Sequence, residues 1–69
     1  MKEKMLIVYE YTTPDQRRKI EYKYINRNAL YDEIHQLVEA FKKKSWEGSI
    51  YGVNENKEIV AQANVRKRG

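Results

Sequence analysis

Sixty-nine residues are enough for one small domain around one hydrophobic core, and at 41% hydrophobic and 35% charged the chain has the balance of a folded globular protein, not a disordered one. Fourteen Lys and Arg against ten Asp and Glu leave a formal net charge of +4, compatible with nucleic acid, an anionic surface or an acidic protein as partner. The absence of cysteine excludes disulfide frameworks, thiolate metal sites and thiol catalysis, and it favours a cytoplasmic setting.

The apolar run at residues 5–9 is too short for a bilayer span of about 20 residues or a signal-peptide core of ~7–15, so neither a targeting segment nor a membrane anchor is expected. Residues 5–11 are β-branched and aromatic and read as a first strand. Thr12-Thr13-Pro14-Asp15-Gln16 reads as a turn, with Pro14 presetting φ at its second position. Residues 17–25 alternate strictly, with Ile20, Tyr22 and Tyr24 on one face and Lys19, Glu21 and Lys23 on the other, as a half-buried strand does. These two strands form a hairpin.

Leu30, Ile34, Leu37, Val38 and Phe41 recur at helical spacing and predict a helix over 28–44. Asn28 is its expected N-cap, Asp32 and Glu33 suit its positive end, and Lys42-Lys43-Lys44 suit its negative end. After a connection at 45–48 come a short strand at 49–53, a polar turn at 54–57 and a last strand at 58–65. Residues 1–65 thus form one domain, and 66–69 read as a basic C-terminal tail.

The expected fold class is α+β: a single ββαββ domain with one helix packed across one face of a four-stranded mixed sheet. A right-handed crossover predicts parallel pairing of the first and last strands and the sheet order 2-1-4-3. In element order this is similar to the β-grasp layout of the immunoglobulin-binding domains of streptococcal protein G and of ubiquitin-like folds. The resemblance implies an arrangement and no functional residue.

Burying the apolar side of the second strand places Ile20, Tyr22 and Tyr24 under the helix. The open face of the sheet then carries Lys19, Glu21 and Lys23 from the second strand, with Val60, Gln62, Asn64 and Arg66 from the last. The first strand is apolar on both sides, so Leu6 and Val8 join Val60 in a small outward strip.

The catalytic inventory is thin. His35 is the single histidine, flanked on the helix by Asp32 and Glu39; zinc asks for about four ligands, and a solvated helix face accounts for this trio. Ser45 and Ser49 lack a nucleophile-elbow pattern, and the three isolated glycines make no phosphate loop. No enzyme, metal or cofactor is expected. Of six tyrosines, Tyr9, Tyr11, Tyr22 and Tyr24 are read as core and Tyr51 as the outward one.

The leading expectation is a non-enzymatic module that binds nucleic acid. Lys19, Lys23, Gln62, Asn64 and Arg66 would face the grooves, and Arg17, Arg18 and the tail with Lys67 and Arg68 would hold phosphates. The alternative is a small protein-binding accessory or inhibitor of the kind phages and mobile elements encode, acting as a monomer or homodimer. It would use Leu6, Val8, Val60 and Trp46 against an acidic or apolar partner.

Overall fold

A computed structural model describes residues 4–66. Strands β1 (Lys4–Thr12) and β2 (Arg18–Asn26) form the first hairpin. A 3-10 turn (Arg27–Ala29) leads into α1 (Leu30–Lys44), and β3 (Glu47–Val53) and β4 (Ile59–Val65) form the second hairpin. The class is the expected one, an α+β domain with a single helix and a four-stranded sheet.

The sheet order is β2-β1-β3-β4 and every pair is antiparallel, which corrects the expected order 2-1-4-3 and its parallel β1–β4 pairing. The layout is therefore not that of a β-grasp. Only Ser45 and Trp46 join α1 to β3, and β3 enters the sheet beside β1. Gly48 fits that central position, because a Cβ there would lie 1.9 Å from the backbone oxygen of Glu10 on β1. Gly52 opens the same strand to the helix, as its Cβ would meet a Leu30 methyl at 2.7 Å. Side chains at these two places would force strand from strand and helix from sheet.

Helix α1 is amphipathic, and its predicted stripe is the one it buries: Leu30, Ile34 and Phe41 are buried, with Leu37 and Val38 half-buried against them. They pack on Met5, Ile7 and Tyr11 of β1, Ile50 of β3 and Val65 of β4. The predicted Asn28 cap is replaced by the 3-10 turn, in which the Leu30 N–H donates to the Arg27 carbonyl, and Ala29 precedes the helix without a side-chain cap. At the other end Ser45 turns left-handed (φ 57°), and the Trp46 N–H reaches back to the Phe41 carbonyl at 2.9 Å. That closing bond satisfies one of the last helical carbonyls.

The two hairpin loops share one design. In 13–17 the Gln16 N–H donates to the Thr13 carbonyl at 2.8 Å, with Pro14 in the second turn position as predicted, and Gln16 is left-handed at φ 68°. In 54–58 the Lys57 N–H donates to the Asn54 carbonyl at 3.0 Å, and Lys57 is left-handed at φ 63°. Each loop is tied by its first side chain: Thr13 Oγ1 accepts the Arg17 N–H at 3.1 Å, and Asn54 Oδ1 accepts the Glu58 N–H at 2.9 Å. A left-handed residue after a tight turn closes a hairpin in a fixed register.

The register of the first hairpin pairs Thr12 with Arg18, and therefore Glu10 with Ile20, Val8 with Tyr22 and Leu6 with Tyr24. Met5, Ile7 and Tyr11 point to the helix, so Ile20, Tyr22 and Tyr24 point away from it. They are 65%, 67% and 69% exposed, which overturns their expected burial. The reason is this register, and the width of the helix is what lets the charged alternates take the helix side. One helix is about 10–12 Å across, whereas four strands at ~4.8 Å spacing span roughly 19 Å. The edge strand β2 lies beyond its cover, so Lys19, Glu21 and Lys23 occupy the helix side of the sheet and still reach water.

Candidate functional site

The uncovered face of the sheet forms an ordered lattice. Across the strands in the order β2, β1, β3, β4, one row reads Tyr24, Leu6, Val53, Ile59 and the next reads Tyr22, Val8, Tyr51, Gln62. A third reads Ile20, Glu10, Ser49, Asn64, and a fourth Arg18, Thr12, Glu47. Along the strands the two apolar rows therefore lie between Lys4 and Asn26 at one end and the polar and charged rows at the other. A bulge at Gly52/Val53 against β4 lets Ile59 complete the first row.

The apolar half is open to solvent. Tyr22 and Tyr24 meet edge to face at 6.4 Å between ring centroids, and Leu6, Val8, Tyr51 and Val53 are half-buried by their neighbours alone. In the polar half the Ser49 hydroxyl donates to Asn64 Oδ1 at 2.7 Å, and Arg18 Nη2 lies 3.4 Å from Glu10 Oε2. Large contiguous apolar patches are uncommon on soluble monomers and are often functional.

Several expected site residues lie elsewhere. Lys19 and Lys23 are on the helix side, not the open face, and Lys23 Nζ pairs with Glu33 of α1 at 2.5 Å. Arg17 sits in the first loop, 3.3 Å from Asp15. Gln62 and Asn64 are on the open face as expected. Arg66 is exposed just beyond β4, while Lys67 and Arg68 lie outside the described residues.

Leu6 and Val8 are on the open face, and Val60, the extra residue of the bulge, is exposed beside Ile59 and also lines a cleft of about 290 Å³ at the sheet's end with Lys4, Arg27, Tyr31 and Asn54. Trp46 is half-buried against the core at the helix end and is not the exposed anchor that partner binding would use. It stacks on Tyr11 at 4.0 Å, meets Phe41 edge to face at 5.7 Å, and lies beneath Lys44 Nζ at 4.5 Å. Sequence reasoning misses Ile20, Tyr22, Tyr24, Val53 and Ile59 as surface. The loop carries the missing signal: a closing pair of two even-numbered residues puts Tyr22 and Tyr24 with Leu6 and Val8.

Behind the sheet, Tyr11 donates its hydroxyl to the Glu21 carboxylate. That bond, with burial second, pushes the Tyr11 phenol up to about 12. Burial also raises Tyr9, with the nearby Glu21 charge adding to it. These groups brace β2 against β1 and point away from the open face.

His35 is exposed on α1, and among the described residues no three His, Cys, Asp or Glu side chains group as a metal site. Among those residues no helix is long and apolar enough to cross a membrane. Compared with known proteins, the chain matches no family model, no curated protein and no solved structure.

Proposed function

We propose that this chain is a non-enzymatic protein-binding module that docks through the open face of its sheet. The lattice carries the reading: two adjoining rows hold seven apolar or aromatic side chains and one glutamine, with charged groups confined to the margin. Burying such rows against a protein surface gains roughly 25 cal/mol per Å² of apolar area, and the polar margin supplies orientation. A cysteine-free chain suits a reducing cytoplasm as the place of action.

Nucleic-acid binding is the second reading, favoured by Tyr22, Tyr24 and Tyr51 sharing one side of the sheet with Arg18. Exposed rings can stack on unpaired bases. It ranks second because the aliphatic side chains Leu6, Val8, Ile20, Val53 and Ile59 surround the rings, with Val8 between Tyr22 and Tyr51, and because Lys19 and Lys23 lie on the opposite side.

A photo-crosslinking phenylalanine analogue placed at Tyr22 tests the choice, with the same probe at exposed His35 as control. In extract of the source cells, a discrete protein adduct at position 22 and none at position 35 is the expected result. A nuclease-sensitive adduct at position 22 would overturn it in favour of nucleic acid.

A further inference from the structure

The geometry points to a second copy of this chain as the occupant of the open face, stacked sheet on sheet about a two-fold axis that crosses the strands between Leu6 and Val8. This inference rests on the protein-docking reading and names its partner. The central strand is self-complementary when reversed. Its outward residues run Lys4, Leu6, Val8, Glu10: a cation, two apolar residues and an anion. Turned end for end, a second β1 lays Leu6 over Val8, and Lys4 over Glu10 of the second copy, twice by symmetry.

The neighbouring strands obey the same reversal. On β2, Tyr24 falls over Tyr22 of the second copy, and on β3, Val53 falls over Tyr51. The fourth row, with Arg18 and Glu47, falls outside the overlap and stays in water as a charged rim. A two-fold axis running along the strands would instead leave Glu10 over Ser49 of the second copy. Either axis lays apolar row on apolar row, and the crossing axis is the one that also gives both β1 charges an opposite partner.

The area is of the right size. The overlapping rows, those of Leu6, Val8 and Glu10 across four strands with Lys4 and Asn26 beyond them, project to roughly 450 Å² at ~6.7 Å by ~4.8 Å per position, and side-chain relief raises the accessible area toward the ~800 Å² per partner of stable interfaces. Sheets stack about 10 Å apart within ~30° of alignment, which reversed strands satisfy.

Sedimentation velocity on the full chain, from low to high micromolar concentration, tests the proposal. The expected result is a concentration-dependent species of twice the 8.3 kDa chain mass. Lys4→Glu and Glu10→Lys should each weaken association by about tenfold, because each sets like charges opposite one another. An equimolar mixture of the two variants should recover the unsubstituted affinity. In that heterodimer the carboxylate introduced at position 4 faces the ammonium introduced at position 10, and the native Lys4 of one chain faces the native Glu10 of the other. The mixture also controls for folding, because a variant that fails to fold cannot be rescued by the other.

A chain that stays monomeric at high micromolar concentration overturns the proposal. So does a dimer for which the mixture is no tighter than either variant alone. A monomer whose position-22 probe captures a different protein overturns the dimer and leaves the docking reading standing. A monomer that binds labelled single-stranded nucleic acid with steep salt dependence overturns both.

Discussion

Tyr11 shows how one side chain ties the sheet to the helix. It is buried among Trp46, Phe41 and Tyr9, and its hydroxyl donates across to Glu21 on the edge strand. The carboxylate and the burial both favour the neutral phenol, so the group titrates at about 12 in the folded chain against 10.0 for an ordinary tyrosine. A folded-state value raised above the unfolded one gives stability that is complete below pH 10 and is lost as the pH rises toward 12. Urea unfolding of the unsubstituted chain and of Tyr11→Phe should therefore differ most near neutral pH and converge across that window. Curves that stay parallel from pH 9 to 12 would mean that the bond to Glu21 contributes nothing to folding.

At the scale of elements, legibility follows from how local the deciding force is. The helix is legible because Leu30, Ile34, Leu37, Val38 and Phe41 all point to one core, and α1 ends at Lys44 as its lysines imply. The first turn is legible in Pro14 and Asp15. The second strand is legible as a strand but not in its facing: alternation shows that Tyr22 and Lys23 point to opposite sides and is silent on which side the helix covers. That depends on the closing pair Thr12–Arg18 and on the helix being narrower than the sheet, and neither is local. Strand order is equally non-local, set by the two-residue link at 45–46 and the Gly48 contact with β1. The open face escapes the sequence for the same reason, since assigning Tyr22 and Tyr24 to the core removes two of its three tyrosines. Three left-handed positions without glycine, Gln16, Ser45 and Lys57, hold the ends of these elements. A left-handed non-glycine residue costs about 1–2 kcal/mol, and glycine returns part of that gain as entropy, so Ser45→Gly should stabilise the fold by roughly 0.5–1 kcal/mol. A raised thermal midpoint in calorimetry checks this; an unchanged or lowered one would show that the Ser45 side chain contributes more than its backbone costs.

For the molecule as a whole, the deciding question is which side of the sheet is core. A single layer of helix on sheet leaves the sheet two very different faces. Ile7, Ile50 and Phe41 are fully enclosed on one, while Ile20, Tyr22 and Tyr24 stand in water on the other. Their substitution must therefore have opposite consequences. Phe41→Ala empties the centre of the core and should cost about 3–5 kcal/mol, enough to unfold most of so small a domain. Tyr22→Thr together with Tyr24→Thr keeps β-favouring side chains at exposed positions and should cost less than about 1 kcal/mol per site, the scale of cross-strand pair contributions. The same double substitution should lower the fluorescence of an apolar dye bound to the native chain and abolish association through the open face, since it removes both rings from the apolar rows. Denaturant unfolding in dilute solution, where association plays no part, separates the two effects. If the tyrosine pair proves as damaging as Phe41→Ala in that experiment, the two faces have been assigned the wrong way round, and Lys19 and Lys23 return to the outer surface as a basic stripe. If the fold holds while association is lost, the tyrosines are a binding surface maintained at little cost in stability, which is the state expected of a sheet whose second layer comes from another molecule.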